Sequence, residues 1–153
     1  RPILVEVQAL VSNANFGTPQ RNVNGFDFKR LAMLLAVLEK RLGILMGTKD
    51  VFVNLVGGLK IDDPAADLAV ITAVASSARD KLLPKSVILI GEVGLGGEVR
   101  SVSRLDTRIN EAKSLGFKSV IAPTANVKRI KTQPKGIKIS GVANVGEAFH
   151  LLF

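Results

Sequence analysis

The chain has 153 residues and a mass of 16.3 kDa, the size of one domain, and 47% of its residues are apolar, enough for a core and too many for intrinsic disorder. It has no cysteine and a single histidine, His150, which excludes disulfides, thiolate zinc sites, cysteine nucleophiles and multi-histidine metal sites. With 21 Lys+Arg against 13 Asp+Glu the net charge is +8, so the expected partner is a polyanion held by phosphate contacts and counterion release.

The longest apolar run, Leu31 to Leu38, has eight residues, well short of the roughly 18 needed to cross a bilayer. No membrane partner is expected. The chain opens at Arg1, without Met or a charged-then-apolar signal segment. The expectation is a piece of a longer, soluble, intracellular protein. No repeat or low-complexity tract divides it, so residues 1–153 read as a single domain.

In chain order, Ile3 to Val11 is rich in β-branched residues and predicts a strand. Ser12 to Gly25 is full of Asn, Gly, Pro and Ser and predicts a long loop with Arg21 near its middle. Asp27 to Leu42 has Phe28, Leu31, Leu35, Leu38 and Leu42 at helical spacing; its middle is apolar all round, which predicts burial on more than one side. Val51 to Val56 predicts a strand ended by Gly57-Gly58. In the junction Lys60 to Asp67, Asp63 suits an N-cap and Pro64 the first helical position, opening a small-residue helix to about Ala78 that must pack tightly. Ser86 to Glu92 predicts a strand, Gly94 to Gly97 a turn, and Glu98 to Val102 its hairpin partner. Arg104 to Leu115 predicts a helix with Leu105, Ile109 and Ala112 on one face and Gly116 at its end. Phe117 to Ala122 and Ile137 to Val142 predict strands. Asn144 with Glu147 predicts a capped last helix. This mixture, with at least one hairpin, predicts an α+β fold.

Four strings carry a family resemblance: Pro2 to Val11, Arg30 to Leu38, Asp50 to Gly58, and Gly91 to Leu95. Together they resemble the proteolytic domain of the Lon family. More closely, they are similar to the Lon-like domain at the C-terminal end of the RadA (Sms) family of bacterial DNA repair and recombination proteins. The resemblance covers essentially the whole chain. It implies a two-layer, ribosomal-protein-like β-α-β fold with mixed sheets. In Lon-like proteases a serine at a helix start is activated by a lysine on a later helix, because a hydroxyl nucleophile needs a base and a helix N-terminus favours developing negative charge. On this sequence the serine position is Ala65, in Asp63-Pro64-Ala65-Ala66, and the lysine position, in Ser103-Arg104-Leu105-Asp106, is Asp106. A methyl group cannot attack a carbonyl, and a carboxylate is no amine base, so the resemblance implies a pseudo-protease and no catalytic residue.

The same resemblance implies a hexameric ring and ATP-driven branch migration. ATP, Mg and Zn would belong to upstream RecA-like and zinc-finger domains, the recombinase RecA would be a partner, and the location would be the bacterial cytoplasm. No cofactor is expected in this chain: the glycines from Gly91 to Gly97 lack the Gly-Lys-Ser/Thr of a phosphate loop and suit a hairpin turn. Asp62, Asp63 and Asp67 fit cap and first-turn roles better than a metal cluster. Ser76, Ser77 and Lys81 fit a helix end better than a second dyad. His150, beside Phe149 and Leu151, fits packing.

Candidate contacts to single-stranded or branched DNA are Arg21, Arg30, Arg100, Arg104 and Arg108, with Lys128, Arg129, Lys131, Lys135 and Lys138 as a second basic stretch. Each also fits a solvated face or a salt bridge, such as Arg108 with Glu111. With phenylalanine the only aromatic, phosphate contacts are favoured over base stacking. The alternatives are an active Ser-Lys peptidase and a stand-alone RNA-binding domain.

Overall fold

The computed structural model describes residues 4–57 and 63–153. The chain folds as an α+β domain with two small sheets and a hairpin. In the first strand, β1 (Glu6–Asn13), Val7, Ala9 and Val11 turn inward while Glu6, Gln8 and Leu10 stay exposed, as a strand with one covered face requires. The segment Ser12 to Gly25 departs from the expected long loop. β1 runs on to Asn13, and Arg21–Asn24 forms a second strand, β2. Only Val23 points an apolar side chain inward there, so composition hides the strand. Parallel pairing with the third strand, β3 (Lys49–Val56), supplies the order, from Arg21 opposite Val51 to Asn24 opposite Asn54. β3 is central in the order β1-β3-β2, and Val51, Val53 and Leu55 are buried.

Helix α1 (Phe28–Leu42) starts where Asp27 accepts from the Lys29 N–H and ends at Gly43, whose φ of 69° lies in the left-handed region. Leu31, Leu34, Leu35, Val37 and Leu38 make one broad buried face. Ala32 and Ala36 remain exposed, so the burial expected on more than one side takes the form of a wide arc beside a solvent stripe of small residues. A 3₁₀ turn, Pro64–Ala66, leads into α2 (Asp67–Ala78). Leu68, Val70, Ile71, Val74 and Ala75 are at most 1% exposed, each contributing about 1.5–3 kcal/mol for the larger side chains. This helix packs along β1 and against α1.

The strand expected from Ser86 to Glu92 breaks in two. β4 (Val87–Leu89) joins one sheet, while β5 (Glu92–Val93) turns through the glycines to pair antiparallel with β6 (Val99–Arg100). At the break, a Cβ on Gly91 would lie 2.6 Å from Val99 Cγ1, so the residue must be glycine for the hairpin to close on it. Next come α3 (Leu105–Ser114), β7 (Ser119–Pro123), a one-turn α4 (Thr124–Val127) that periodicity does not reveal, β8 (Lys138–Val142) and α5 (Val145–Leu152). The sheet β4-β7-β8 is parallel throughout. α5 is capped as predicted: Asn144 Oδ1 accepts from Glu147 N at 2.9 Å, and Glu147 Oε1 from Ala143 N at 2.8 Å.

One core gathers α1, α2, the first sheet, the hairpin and α5. A second joins α3 to the parallel sheet, and Ala65 belongs to it. The start of α2 therefore sits where the two halves meet.

Candidate functional site

Main-chain bonds fix that meeting point. The Gly91 N–H donates to Ala65 O at 3.0 Å, and Gly91 O accepts from Leu68 N at 3.0 Å. Asp63 accepts from Ala65 N at 2.9 Å and so caps the turn. From α3, Arg108 donates through Nη2 to Asp63 Oδ2 at 2.8 Å and through Nε to Ser103 O at 2.9 Å. Asp63, Ala65, Ala66 and Arg108 thus stand on the wall of a cavity of about 680 Å³, otherwise lined chiefly by apolar residues of β1, α2 and β4. None of the described residues lining it is a serine, threonine, cysteine or histidine. Burial by itself would raise the Asp63 carboxyl, but the Ala65 N–H and the Arg108 guanidinium together hold it below the usual carboxylate range.

Asp106 is exposed, accepts from Thr107 N at 2.9 Å and does not line this cavity. Two residues along a helix is over half a turn, so Asp106 points away and Arg108 points in. Arg108 is therefore the basic side chain that α3 brings to the cavity wall beside Ala65, and Lys85, from the segment before β4, lines the same cavity. Ser76 donates to Lys81 O and Ser77 accepts from Val11 N at 2.9 Å, so both hydroxyls are engaged by the backbone. Asp62 lies outside the described residues, as do Lys60, Pro2 and Ile3.

Asp67 has a role that its place in a helical first turn did not reveal. It is 0% exposed, pairs through both oxygens with Arg30 Nε and Nη2, and accepts from Val93 N at 3.1 Å. The carboxylate ties α1, α2 and the hairpin together, and its hydrogen bond raises the Arg30 guanidinium further above its usual range. Asn126 likewise clamps Val102, accepting from its N–H at 2.8 Å and donating to its carbonyl at 2.9 Å.

The candidate arginines divide by this geometry. Arg21 donates to Lys49 O and Met46 O, Arg30 to Asp67, Arg100 to Glu98 and Arg108 to Asp63. Arg104 is exposed with a φ of 57° and bonds through its side chain to no described residue. Lys128, Arg129, Lys131, Lys135 and Lys138 are also exposed, and their side chains find no partner among the described residues. A sequence signal marks this second group: residues 112–146 hold seven Lys+Arg and no Asp or Glu. Residues 1–78 carry 8 basic against 7 acidic side chains, and residues 79–153 carry 13 against 6. The excess positive charge thus lies in the C-terminal half of the sequence, which carries the hairpin, α3, the parallel sheet and α5.

A proteolytic-type fold with no nucleophile at its helix start has a matching family. Residues 44–151 match the Lon protease (S16) C-terminal proteolytic domain, and the chain belongs to that family. It is also similar to the DNA repair protein RadA of several bacteria. Identity is 52% over 148 residues with that of Bacillus subtilis, covering 97% of this chain and 32% of the relative. With that of Aquifex aeolicus it is 48% over 153 residues, covering 100% and 34%. With that of Chlamydia pneumoniae it is 47% over 151 residues, covering 98% and 33%. The chain spans about a third of the length of these relatives. Among the described residues no helix is long and apolar enough to cross a membrane.

Proposed function

We propose that this chain is the non-proteolytic, Lon-like domain of a bacterial RadA-type DNA repair and recombination protein, a scaffold that packs into a ring and holds DNA by its phosphates. The observation that carries this reading is the separation of free positive charge, gathered in residues 112–146, from a pocket whose described lining offers no hydroxyl, thiol or imidazole. Exposed lysines on short elements bind a phosphate backbone without reading sequence. Arg104 extends the surface. Arg21, Arg30, Arg100 and Arg108 contribute less to it, since each is held by a carboxylate or carbonyl of the fold. ATP, Mg and Zn would belong to other domains of the parent protein, RecA would be its partner, and the setting would be the bacterial cytoplasm.

The test replaces Lys128, Arg129, Lys131 and Lys135 with Gln and measures binding to branched and single-stranded DNA over a salt series. Losing three or four phosphate contacts should weaken binding by roughly tenfold or more near 0.1 M salt and flatten the log–log salt slope by about 0.7–0.9 per contact. Melting should be unchanged. Unaltered affinity and slope would remove this segment from the DNA surface, and a steeper loss on structured RNA than on DNA would favour an RNA partner.

A further inference from the structure

The open face of the β1-β3-β2 sheet is a surface that the fold leaves uncovered. α2 packs on the other side of β1 and β3. Across the open face run Gln8, Asn54 and Asn24 in one row and Leu10, Phe52 and Asn22 in the next. Leu10 is 59% exposed and Val56 42%. Between the rows lies a shallow depression of about 280 Å³. The charged residues on this face are Glu6 and Asp50, with no outward Lys or Arg along the three strands. On a chain of net charge +8 such a face repels phosphate and suits a basic protein surface with an apolar centre.

The other half of the same chain presents that complement. Leu82 is 96% exposed and stands between Lys81 and Lys85, with Arg79 nearby. Its turn is braced. Lys81 N donates to Ser76 O at 3.0 Å, Asp80 N to Ser77 O at 3.2 Å, and the Ser76 hydroxyl to Lys81 O. Pro84 further restricts the residue before it. The leucine is thus held out as a knob with cationic flanks.

We propose that the open face of this sheet receives Leu82 of a second copy of the chain, head to tail. Leu82 enters the depression beside Leu10 and Phe52, and Lys81 and Lys85 approach Glu6 and Asp50. The two surfaces differ, so each copy offers both a knob and a socket, and such contacts close into rings when the rotation permits. This proposal rests on the ring reading above and assigns its interface.

The cysteine-free sequence makes a direct test possible. An oxidised mixture of Leu10→Cys and Leu82→Cys chains should form cross-linked dimers at least about tenfold faster than either variant alone, because an aligned pair reacts intramolecularly. Leu82→Cys mixed with Phe16→Cys, also exposed, sets the background. Sedimentation velocity on the cysteine-free chain follows assembly. Leu10→Lys should abolish it by facing Lys81 and Lys85 with like charge, and Lys81→Glu with Lys85→Glu should abolish it by facing Glu6 and Asp50; adding Glu6→Lys and Asp50→Lys to that second pair should restore it. Assembly that persists without the cross-link and ignores Leu10→Lys would overturn this interface and leave the ring standing. A chain that stays monomeric throughout would overturn both.

Discussion

Thr72 brings a hydroxyl into the middle of α2, where it is 0% exposed and finds no hydrogen-bond partner among the described residues. An unpaired buried hydroxyl costs desolvation without return. Thr72→Val should therefore leave stability unchanged or raise it by up to about 1 kcal/mol, read by urea denaturation. Asp63 is the opposite case, a half-exposed carboxylate with two good partners. Its folded pKa lies below its ordinary value, so the ionised form favours the folded state. The contribution is present above the ordinary aspartate value of about 3.9 and is lost as pH falls through the lower folded value. Glu98 acts in the same direction, first through its own backbone N–H and then through Arg100. Asp63→Asn should flatten the acid limb of the stability profile below about pH 4. An unaltered limb would show that the Ala65 and Arg108 bonds do not favour ionisation.

At the scale of elements, Arg30 and Asp67 join three pieces of structure that periodicity treats separately. Arg30 is partly exposed while Asp67 is fully buried, so the two partners are not equivalent. Arg30→Met strands a buried charge and should cost about 3–5 kcal/mol. The double variant Arg30→Met with Asp67→Leu removes both charges and should recover most of that loss. A double variant as unstable as the single one would mean that the pair's geometry matters more than its charge. The element boundaries follow the same logic. Gly91 interrupts a sequence that would otherwise continue as one strand, and its two main-chain bonds then set the start of α2.

For the whole molecule, the two halves carry different charge and meet at Ala65. A serine placed at this position would share its cavity with Arg108, whose guanidinium keeps its proton in proteins, and with Lys85, which is exposed to solvent rather than desolvated as a lysine base must be. Ala65→Ser should therefore yield no peptidase activity and no labelling by a fluorophosphonate probe. Labelling there would show that another group supplies the base. The proposed DNA binding is tested at this scale too, since its salt dependence would sum contacts over the basic residues and would vanish if the positive charge were not gathered on one surface.

The helices at Asp27 to Leu42 and Asp63 to Ala78, the hairpin and the Asn144 cap were legible in the residues, because local spacing and capping chemistry act within one or two turns of chain. That Ala65, and not a hydroxyl-bearing residue, stands just before α2 was equally legible. β2, the break at Gly91 and α4 were not, since each depends on pairing or packing with distant residues. The same reason governs the charges. Sequence supplied the arginines and their number, but pairing across 37 residues tied Arg30 to Asp67, and pairing across 45 tied Arg108 to Asp63. Which cations remain free to meet a partner is a property of three-dimensional neighbours, and only the folded chain decides it.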